Sequence, residues 1–104
     1  MANVEVLDRP PTVTVNAGDS ITIHLVENAG TGYRWSVALT GDAVSLQSSE
    51  RIAAAPRRPG AVSDLVIVLR ADEPGTAEAE FRLARSWEPA APVDVWQLEV
   101  CVTS

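Results

Sequence analysis

The chain has one cysteine, Cys101, and one histidine, His24. A single thiol excludes an intrachain disulfide and a thiolate-ligated metal cage. A Ser-His-Asp centre would need a nucleophile and an acid converging on His24, and nothing local indicates either. The acidic residues of GDA and ADEPG are typical of turns rather than of metal sites. We therefore expect no catalytic residues, no metal site and no cofactor, and we predict that the protein is not an enzyme.

The charge balance and the lack of long apolar runs exclude further classes. The formal net charge of −6 would repel phosphates, so nucleic acid is not an expected partner. The most apolar run, LVIVL at 65–69, is far too short to span a bilayer. The opening MANVEVLDRP lacks the features of a signal peptide. These absences predict no membrane partner and a soluble protein, either cytoplasmic or the mature form of an exported one.

Helix signals are nearly absent, and short runs of Val, Ile, Thr and Leu alternate with Gly, Pro, Asn and Asp. VEVL and TVTV come first, separated by DRPP. They are followed by ITIHLVE, YRWSVAL, VSLQSSERIAA, DLVIVLR, TAEAEFRLAR and VDVWQLEVCV. With the first two runs taken together as strand A, about seven strands, A to G, follow in one domain of residues 1–104. This pattern predicts an all-β, immunoglobulin-like antiparallel β-sandwich. A closed β-barrel is the alternative, which periodicity alone does not exclude.

The alternation of apolar and polar residues predicts which side chains face the core. Trp35 and Trp96 fall on inward faces. His24 lies on the face opposite Ile23, which favours the surface. The nearly continuous run DLVIVLR is typical of a strand deep in the sandwich. Cys101 is expected to be a small, half-buried strand residue.

Three of the connections are long, and alternation of turns between the two ends places all three at the same end. They are the B–C loop (NAGTG, 28–32), the D–E loop (PRRPGAVS, 56–63) and the F–G loop (SWEPAAP, 86–92). The compact turns NAGDS, TGDA and ADEPG fall at the other end. A tip that gathers the long loops is typical of binding modules. Trp87, in a loop of small and polar residues, favours a contact with a partner.

Two of these loops carry a family resemblance. NAGTGYRW resembles the Asn-Pro-Thr-Thr-Gly-Tyr/Phe-x-Trp signature of the chagasin-like inhibitors of papain-family cysteine proteases, with Ala29 and Gly30 in place of Pro-Thr. RSWEP resembles that family's Arg-Pro-Trp segment, with Ser86 in place of the proline. The segment PGAVS supplies only Gly60 of the family's Gly-x-Gly-Gly loop. The matching positions are Asn28, Thr31, Gly32, Tyr33, Trp35, Arg85 and Trp87.

The resemblance implies an immunoglobulin-like fold and reversible inhibition of a papain-like cysteine protease, with the three loops occluding the active-site cleft. It implies that Thr31 lies nearest the catalytic cysteine and that Trp87 supplies the main hydrophobic contact. Arg85 would pair with an enzyme carboxylate or brace the loop from within. Tyr33 would pack under the B–C loop or hydrogen-bond across it, and Asn28 would brace that loop. The predicted protease-binding residues are Asn28, Ala29, Gly30, Thr31, Gly32, Tyr33, Pro59, Gly60, Ala61, Val62, Arg85, Ser86 and Trp87.

Two other classes of function stay open at this point. The weak match of the D–E loop and the missing prolines fit a non-inhibitory immunoglobulin-like module that binds a polypeptide or a glycan with the same tip. A sheet edge or the tip around Trp87 could also serve assembly, although a monomer is expected. The target protease is not indicated by the sequence.

Overall fold

A computed structural model describes residues 2–6, 9–28, 32–53, 62–85, 87 and 92–104, with the backbone alone at positions 28, 53, 62 and 63. These residues form eight strands: β1 (Asn3–Val6), β2 (Thr12–Asn16), β3 (Ser20–Asn28), β4 (Tyr33–Thr40), β5 (Val44–Ala53), β6 (Val62–Ala71), β7 (Gly75–Arg85) and β8 (Asp94–Thr103). The predicted all-β class is confirmed. In the described part of the chain, no helix is long and apolar enough to cross a membrane.

The strands form two four-stranded sheets, ordered β1-β3-β6-β5 and β2-β8-β7-β4. Pairing is antiparallel except at one edge of each sheet, where β1 is parallel to β3 and β2 is parallel to β8. The predicted strand A is therefore two strands in different sheets. Pro10 and Pro11 lie between them, and proline cannot donate to a strand ladder. Just before them, Arg9 has a positive φ of 49°, which is uncommon for a residue other than glycine.

The core lies between the inner faces of the two sheets. Phe81 on β7 stacks on Trp96 of β8, with ring centroids 4.6 Å apart. Trp35 and Trp96 are buried, as the alternation predicts. Burial of each large apolar side chain contributes about 1.5–3 kcal/mol to the free energy of unfolding. The largest fully buried side chains are Phe81, Ile21, Ile23, Leu65, Ile67, Leu69, Leu98 and Val100.

Strand β6, predicted to lie deep in the sandwich, is an inner strand of its sheet, but only one of its faces is fully buried. Leu65 and Ile67 are buried, but Val66 and Val68 between and beside them are only half-buried. The second sheet packs against one face of this strand, and the other face carries exposed residues on neighbouring strands, including His24 on β3. The surface position predicted for His24 is thus confirmed.

Compact turns occupy the end of the sandwich away from the three long loops, as predicted. Gly18 and Gly41 have positive φ values of 95° and 99°, a conformation that favours glycine. The Ala17 N–H donates to the Thr103 carbonyl at 2.7 Å, and the Gly18 N–H donates to the Ala71 carbonyl at 2.8 Å. These bonds join the turn after β2 to the last residues of β8 and β6.

A buried carboxylate, Asp19, closes the same turn. Its Oδ1 accepts a hydrogen bond from the Ala2 N–H and its Oδ2 accepts one from the Asn16 N–H, both at 2.9 Å. These two backbone bonds, first that from Ala2 and then that from Asn16, lower the pKa of Asp19 below its ordinary value. Because they favour the charged form, this carboxylate fixes the entry to β3 at neutral pH.

Candidate functional site

The strand ends that carry the long loops lie at one end of each sheet. In the first sheet, Asn28 at the end of β3 is opposite Val62 at the start of β6, and Ala53 at the end of β5 is opposite the next residue of β6. In the second sheet, Tyr33 at the start of β4 is opposite Arg85 at the end of β7. The gathering of the strand ends that flank the B–C, D–E and F–G loops is therefore as predicted.

The structure describes six of the thirteen predicted contact residues. These are Gly32, Tyr33, Arg85 and Trp87, with the backbone alone at Asn28 and Val62; the bracing role expected of the Asn28 side chain is thus outside the description. The predicted contact residues outside the described part are Ala29, Gly30, Thr31, Pro59, Gly60, Ala61 and Ser86.

The B–C and F–G loops meet through Gly32 and Trp87. Gly32 has a φ of +78°, and a Cβ placed on it would lie 2.8 Å from Cη2 of Trp87. Glycine is therefore required for both its backbone conformation and its lack of a side chain. Trp87 remains 65% exposed. The indole thus packs against the neighbouring loop and still presents a large apolar surface to solvent.

Arg85 lies between two aromatic rings at this contact. Its guanidinium carbon is 4.6 Å from the centroid of the Tyr33 ring and 5.7 Å from that of the Trp87 ring. Cation–π contacts at such partly exposed sites contribute about 0.5–1 kcal/mol each. The Arg85 guanidinium thus contacts one ring at the start of β4 and one ring of the F–G loop. Tyr33 supports the arrangement through its ring.

A buried carboxylate, Glu27, lies near the end of β3, just before the B–C loop. Its side chain is 3% exposed. The backbone N–H of Trp35 donates to its Oε2 at 2.6 Å. Arg51 donates from Nε to its Oε1 at 2.7 Å and from Nη2 to its Oε2 at 3.3 Å. One carboxylate therefore connects β3 with β4, across the B–C loop, and with β5, which leads into the D–E loop.

The sequence reading did not single out Glu27, although the pattern contains a signal for it. The inward positions of β3 are Ile21, Ile23 and Leu25, all buried. Strict alternation makes position 27 the next inward one, and an acidic residue occupies it. An acid in the apolar phase of a strand indicates a buried charge that needs a partner.

Trp35 and Arg9 connect the strands at the end of the sandwich that carries the long loops. The Trp35 indole N–H donates to the Val26 carbonyl at 3.0 Å, which joins the two sides of the B–C loop. The Arg9 guanidinium lies 5.0 Å from the centroid of the Trp35 ring, and its Nη1 is 2.6 Å from Oδ2 of Asp94. Since Asp94 begins β8, this contact connects the crossover between β1 and β2 with the exit of the F–G loop.

Residues 14–100 match the model of a protein family described as chagasin family peptidase inhibitor I42. The chain belongs to the chagasin family. The match spans all three loops, and this is a family of inhibitors rather than of enzymes, so the prediction that the protein is not an enzyme is confirmed. No curated protein sequence matches the chain.

Solved structures with the same fold include inhibitors of cysteine proteases. This chagasin-family protein is similar to EhICP2, a cysteine protease inhibitor from Entamoeba histolytica, with 24% identity and a TM-score of 0.84 over 98% of this chain and 96% of that one. It is similar to amebosin, with 25% identity and a TM-score of 0.77 over 98% and 97%. It also resembles PbICP-C, solved in complex with falcipain-2, with 16% identity and a TM-score of 0.76 over 99% and 100%.

Proposed function

We propose that this chagasin-family protein is a reversible inhibitor of papain-like cysteine proteases that occludes the active-site cleft with its B–C, D–E and F–G loops. The observation that carries the proposal is the contact between Gly32 and Trp87, which joins the B–C and F–G loops at the loop end while leaving the indole 65% exposed. Family membership and the likeness to EhICP2 and PbICP-C support the same conclusion.

The B–C loop is the part proposed to enter the cleft. A papain-type cleft is a groove with the catalytic cysteine and histidine facing each other, so the inserted segment must be narrow. Gly30 and Gly32 flank Thr31 with residues that have no side chain, and the loop approaches as nearly bare backbone. Thr31 is placed nearest the catalytic cysteine, where it blocks the site without presenting a peptide bond positioned for cleavage.

The F–G loop supplies the principal apolar contact. Trp87 has a large surface available for burial, and buried tryptophans often dominate the energy of an interface. Contacts with Gly32 and with the Arg85 guanidinium already restrict the indole. Because less side-chain freedom is lost on binding, more of the contact energy appears as affinity.

The D–E loop is proposed to contact the opposite flank of the cleft through Pro59, Gly60, Ala61 and Val62. Asn28, Ala29, Tyr33, Arg85 and Ser86 complete the binding surface. We further propose that one domain of residues 1–104 acts as a soluble monomer, in the cytoplasm or after export, with no nucleic acid or membrane as partner.

Titration of active papain with the purified protein tests the proposal. We expect inhibition at about one-to-one stoichiometry, reversible on dilution. Trp87→Ala should weaken inhibition by about 30-fold or more, the effect of losing about 2 kcal/mol of binding free energy. Thr31→Trp should weaken it strongly because the wider tip no longer fits the cleft. Leu46→Ala is the matched control, since Leu46 is 48% exposed but lies near the turn end of β5.

One outcome of the papain titration would contradict the proposal. If the protein leaves both papain and a cathepsin-type protease fully active at micromolar excess, the inhibitor proposal fails for these enzymes. A non-inhibitory module that binds a polypeptide or glycan with the same tip would then be favoured.

A further inference from the structure

We propose that Glu27 and Arg51 are a pair of positioning residues that hold the stem of the B–C loop against the stem of the D–E loop, so that both loops are set before a protease binds. The effect expected on inhibition rests on the proposed function. The coupling between the two stems is a property of the free protein and can be measured without a protease.

The geometry connects three strands through one carboxylate. Glu27 is the penultimate residue of β3, Trp35 is the third residue of β4, and Arg51 lies two residues before the end of β5. The two carboxylate oxygens of Glu27 accept hydrogen bonds from the Trp35 backbone and from two nitrogens of Arg51. A change at this carboxylate therefore acts on both sides of the B–C loop and on the strand that leads into the D–E loop.

The pair bridges strands that do not touch within their own sheet. Strand β6 lies between β3 and β5, with Arg51 opposite Leu65 in the ladder. The Arg51 side chain reaches past this intervening strand to Glu27. Trp35 belongs to the other sheet, so the carboxylate also joins the two layers of the sandwich. The ladders alone do not make this connection.

Burial distinguishes this ion pair from the others in the described part of the chain. Glu27 is 3% exposed, whereas the side chains of the four other pairs are each at least 37% exposed. A surface pair contributes little, but a buried carboxylate carries a desolvation cost that its hydrogen bonds must offset. At the preceding inward positions of β3 the chain has isoleucine or leucine. An apolar residue at position 27 would avoid that desolvation cost. The charge of Glu27 is therefore better explained by the positions it fixes than by a gain in stability.

The backbone of Trp35 explains why a carboxylate suits this place. Strand β4 is at the edge of its sheet, and the Trp35 N–H points away from β7 towards Glu27, at 2.6 Å. A buried N–H without a partner is costly. Glu27 therefore takes the place of a neighbouring strand for this donor. The hydrogen bond joins the two strands from which the B–C loop extends, β3 and β4.

Four variants separate positioning from simple stabilisation. Glu27→Gln keeps an acceptor for the Trp35 N–H but loses the charge, Arg51→Ala removes the bridge, and Arg51→Lys keeps the charge without the paired donors. Arg70→Ala is the matched control, because Arg70 lies on the neighbouring strand at the turn end, with Nε 3.6 Å from Asp72. Each variant is assayed for its inhibition constant against papain, with circular dichroism confirming that it is folded at the assay temperature.

We expect Glu27→Gln and Arg51→Ala to raise the inhibition constant roughly tenfold, because the loops lose preorganisation. Arg51→Lys should recover part of that loss, and Arg70→Ala should leave inhibition unchanged. The double variant Glu27→Gln with Arg51→Ala should be no weaker than the weaker single variant, since both changes break the same network. Unchanged inhibition by folded Arg51→Ala, or full additivity in the double variant, would overturn the proposal.

Amide hydrogen exchange and backbone chemical shifts of the free protein provide the second readout. Arg51→Ala should speed exchange at the Trp35 amide and shift the amide resonances on both sides of the B–C loop, because Glu27 connects these residues to Arg51. Arg70→Ala should leave those resonances unchanged. If Arg51→Ala moves only the resonances of β5 and β6, the coupling is absent. If the native protein does not inhibit papain but Arg51→Ala moves the B–C amides, the proposed function fails while the positioning pair stands.

Discussion

The Cη2 atom of Trp87 lies 2.8 Å from the point where a Cβ would stand on Gly32. The two residues belong to different loops, and the missing side chain of one makes room for the ring of the other. Since Gly32 also has a φ of +78°, both its space and its backbone conformation depend on glycine. This contact is where the B–C and F–G loops are fitted to each other.

Gly32→Ala should weaken inhibition of papain by about tenfold or more, because the added methyl displaces the Trp87 ring and alters a main contact of the interface. It should also lower the free energy of unfolding by about 1–2 kcal/mol through the left-handed backbone. Inhibition assays and urea unfolding measure the two effects separately.

Gly41→Ala is the control for that substitution. Gly41 has a φ of +99° but lies in a turn at the opposite end, where a Cβ would stand 3.1 Å from the Thr76 carbonyl oxygen. It should lose stability to a similar or greater extent and still inhibit papain normally when folded. Equal inhibition by the two alanine variants would show that the contact between Gly32 and Trp87 does not contribute to binding.

The two buried tryptophans offer a second matched comparison. The Trp35 indole N–H donates to the Val26 carbonyl and the Trp96 indole N–H donates to the Pro10 carbonyl, each at 3.0 Å. Replacement of either by phenylalanine deletes the donor and leaves a small cavity. We expect each change to lower the free energy of unfolding by about 1–3 kcal/mol, measured by chemical denaturation.

Trp35→Phe is expected to reduce inhibition more than Trp96→Phe does, because Val26 and Trp35 lie on the two sides of the B–C loop. Trp96→Phe removes a bond to Pro10 in the crossover between β1 and β2, and in the folded protein its effect on the inhibition constant should be the smaller of the two. A loss of inhibition that simply follows the loss of stability in both variants would contradict this division.

Asp19 predicts a particular dependence of stability on pH. Its pKa is lowered in the folded protein, chiefly by the hydrogen bond from the Ala2 N–H and then by that from the Asn16 N–H. The unfolded chain therefore binds a proton more readily than the folded one. The carboxylate stabilises the fold above about pH 4, the ordinary range of an aspartate. That contribution is lost as the pH falls through this range towards the lowered pKa.

Asp19→Asn should therefore be less stable than the native protein at neutral pH and should lose less stability on acidification. Urea unfolding at a series of pH values between about 7 and 2 measures the difference, which should shrink towards the acid end. Asp42→Asn, at an exposed turn position of the same end, is the control. A difference between native and Asp19→Asn protein that stays constant across the series would show that the carboxylate acts without its charge.

Alternation was the most informative feature of the sequence. It placed Trp35 and Trp96 on inward faces, and both are buried. Side chains of a strand alternate between faces whatever its partners are, so this inference needs no knowledge of the neighbours. The end at which the long loops gather followed for a similar reason, because consecutive turns of an antiparallel fold alternate between its ends.

The pairing of strands that are distant in the chain could not be predicted from alternation. The runs VEVL and TVTV look like one interrupted strand, and only their partners β3 and β8 separate them into two sheets. The run DLVIVLR is nearly continuous in apolar residues, and its pattern alone does not show that Val66 and Val68, on the face away from the second sheet, are only half-buried. Strand propensity describes a residue, whereas exposure of its outer face depends on what packs there.

The sequence by itself determined the β-rich class, the inward faces of the strands and the two loop motifs that resemble the chagasin family. Each of these features is local, because it depends on an alternation with a period of two residues or on a few adjacent positions. The tertiary structure decided that Glu27 meets Arg51 and Trp35, that Arg85 stands between Tyr33 and Trp87, and that Trp87 packs on Gly32. The contacts of Glu27 with Arg51, of Arg85 with Tyr33 and of Trp87 with Gly32 join residues far apart in the chain, and such contacts exist only once the strands have assembled into the sandwich.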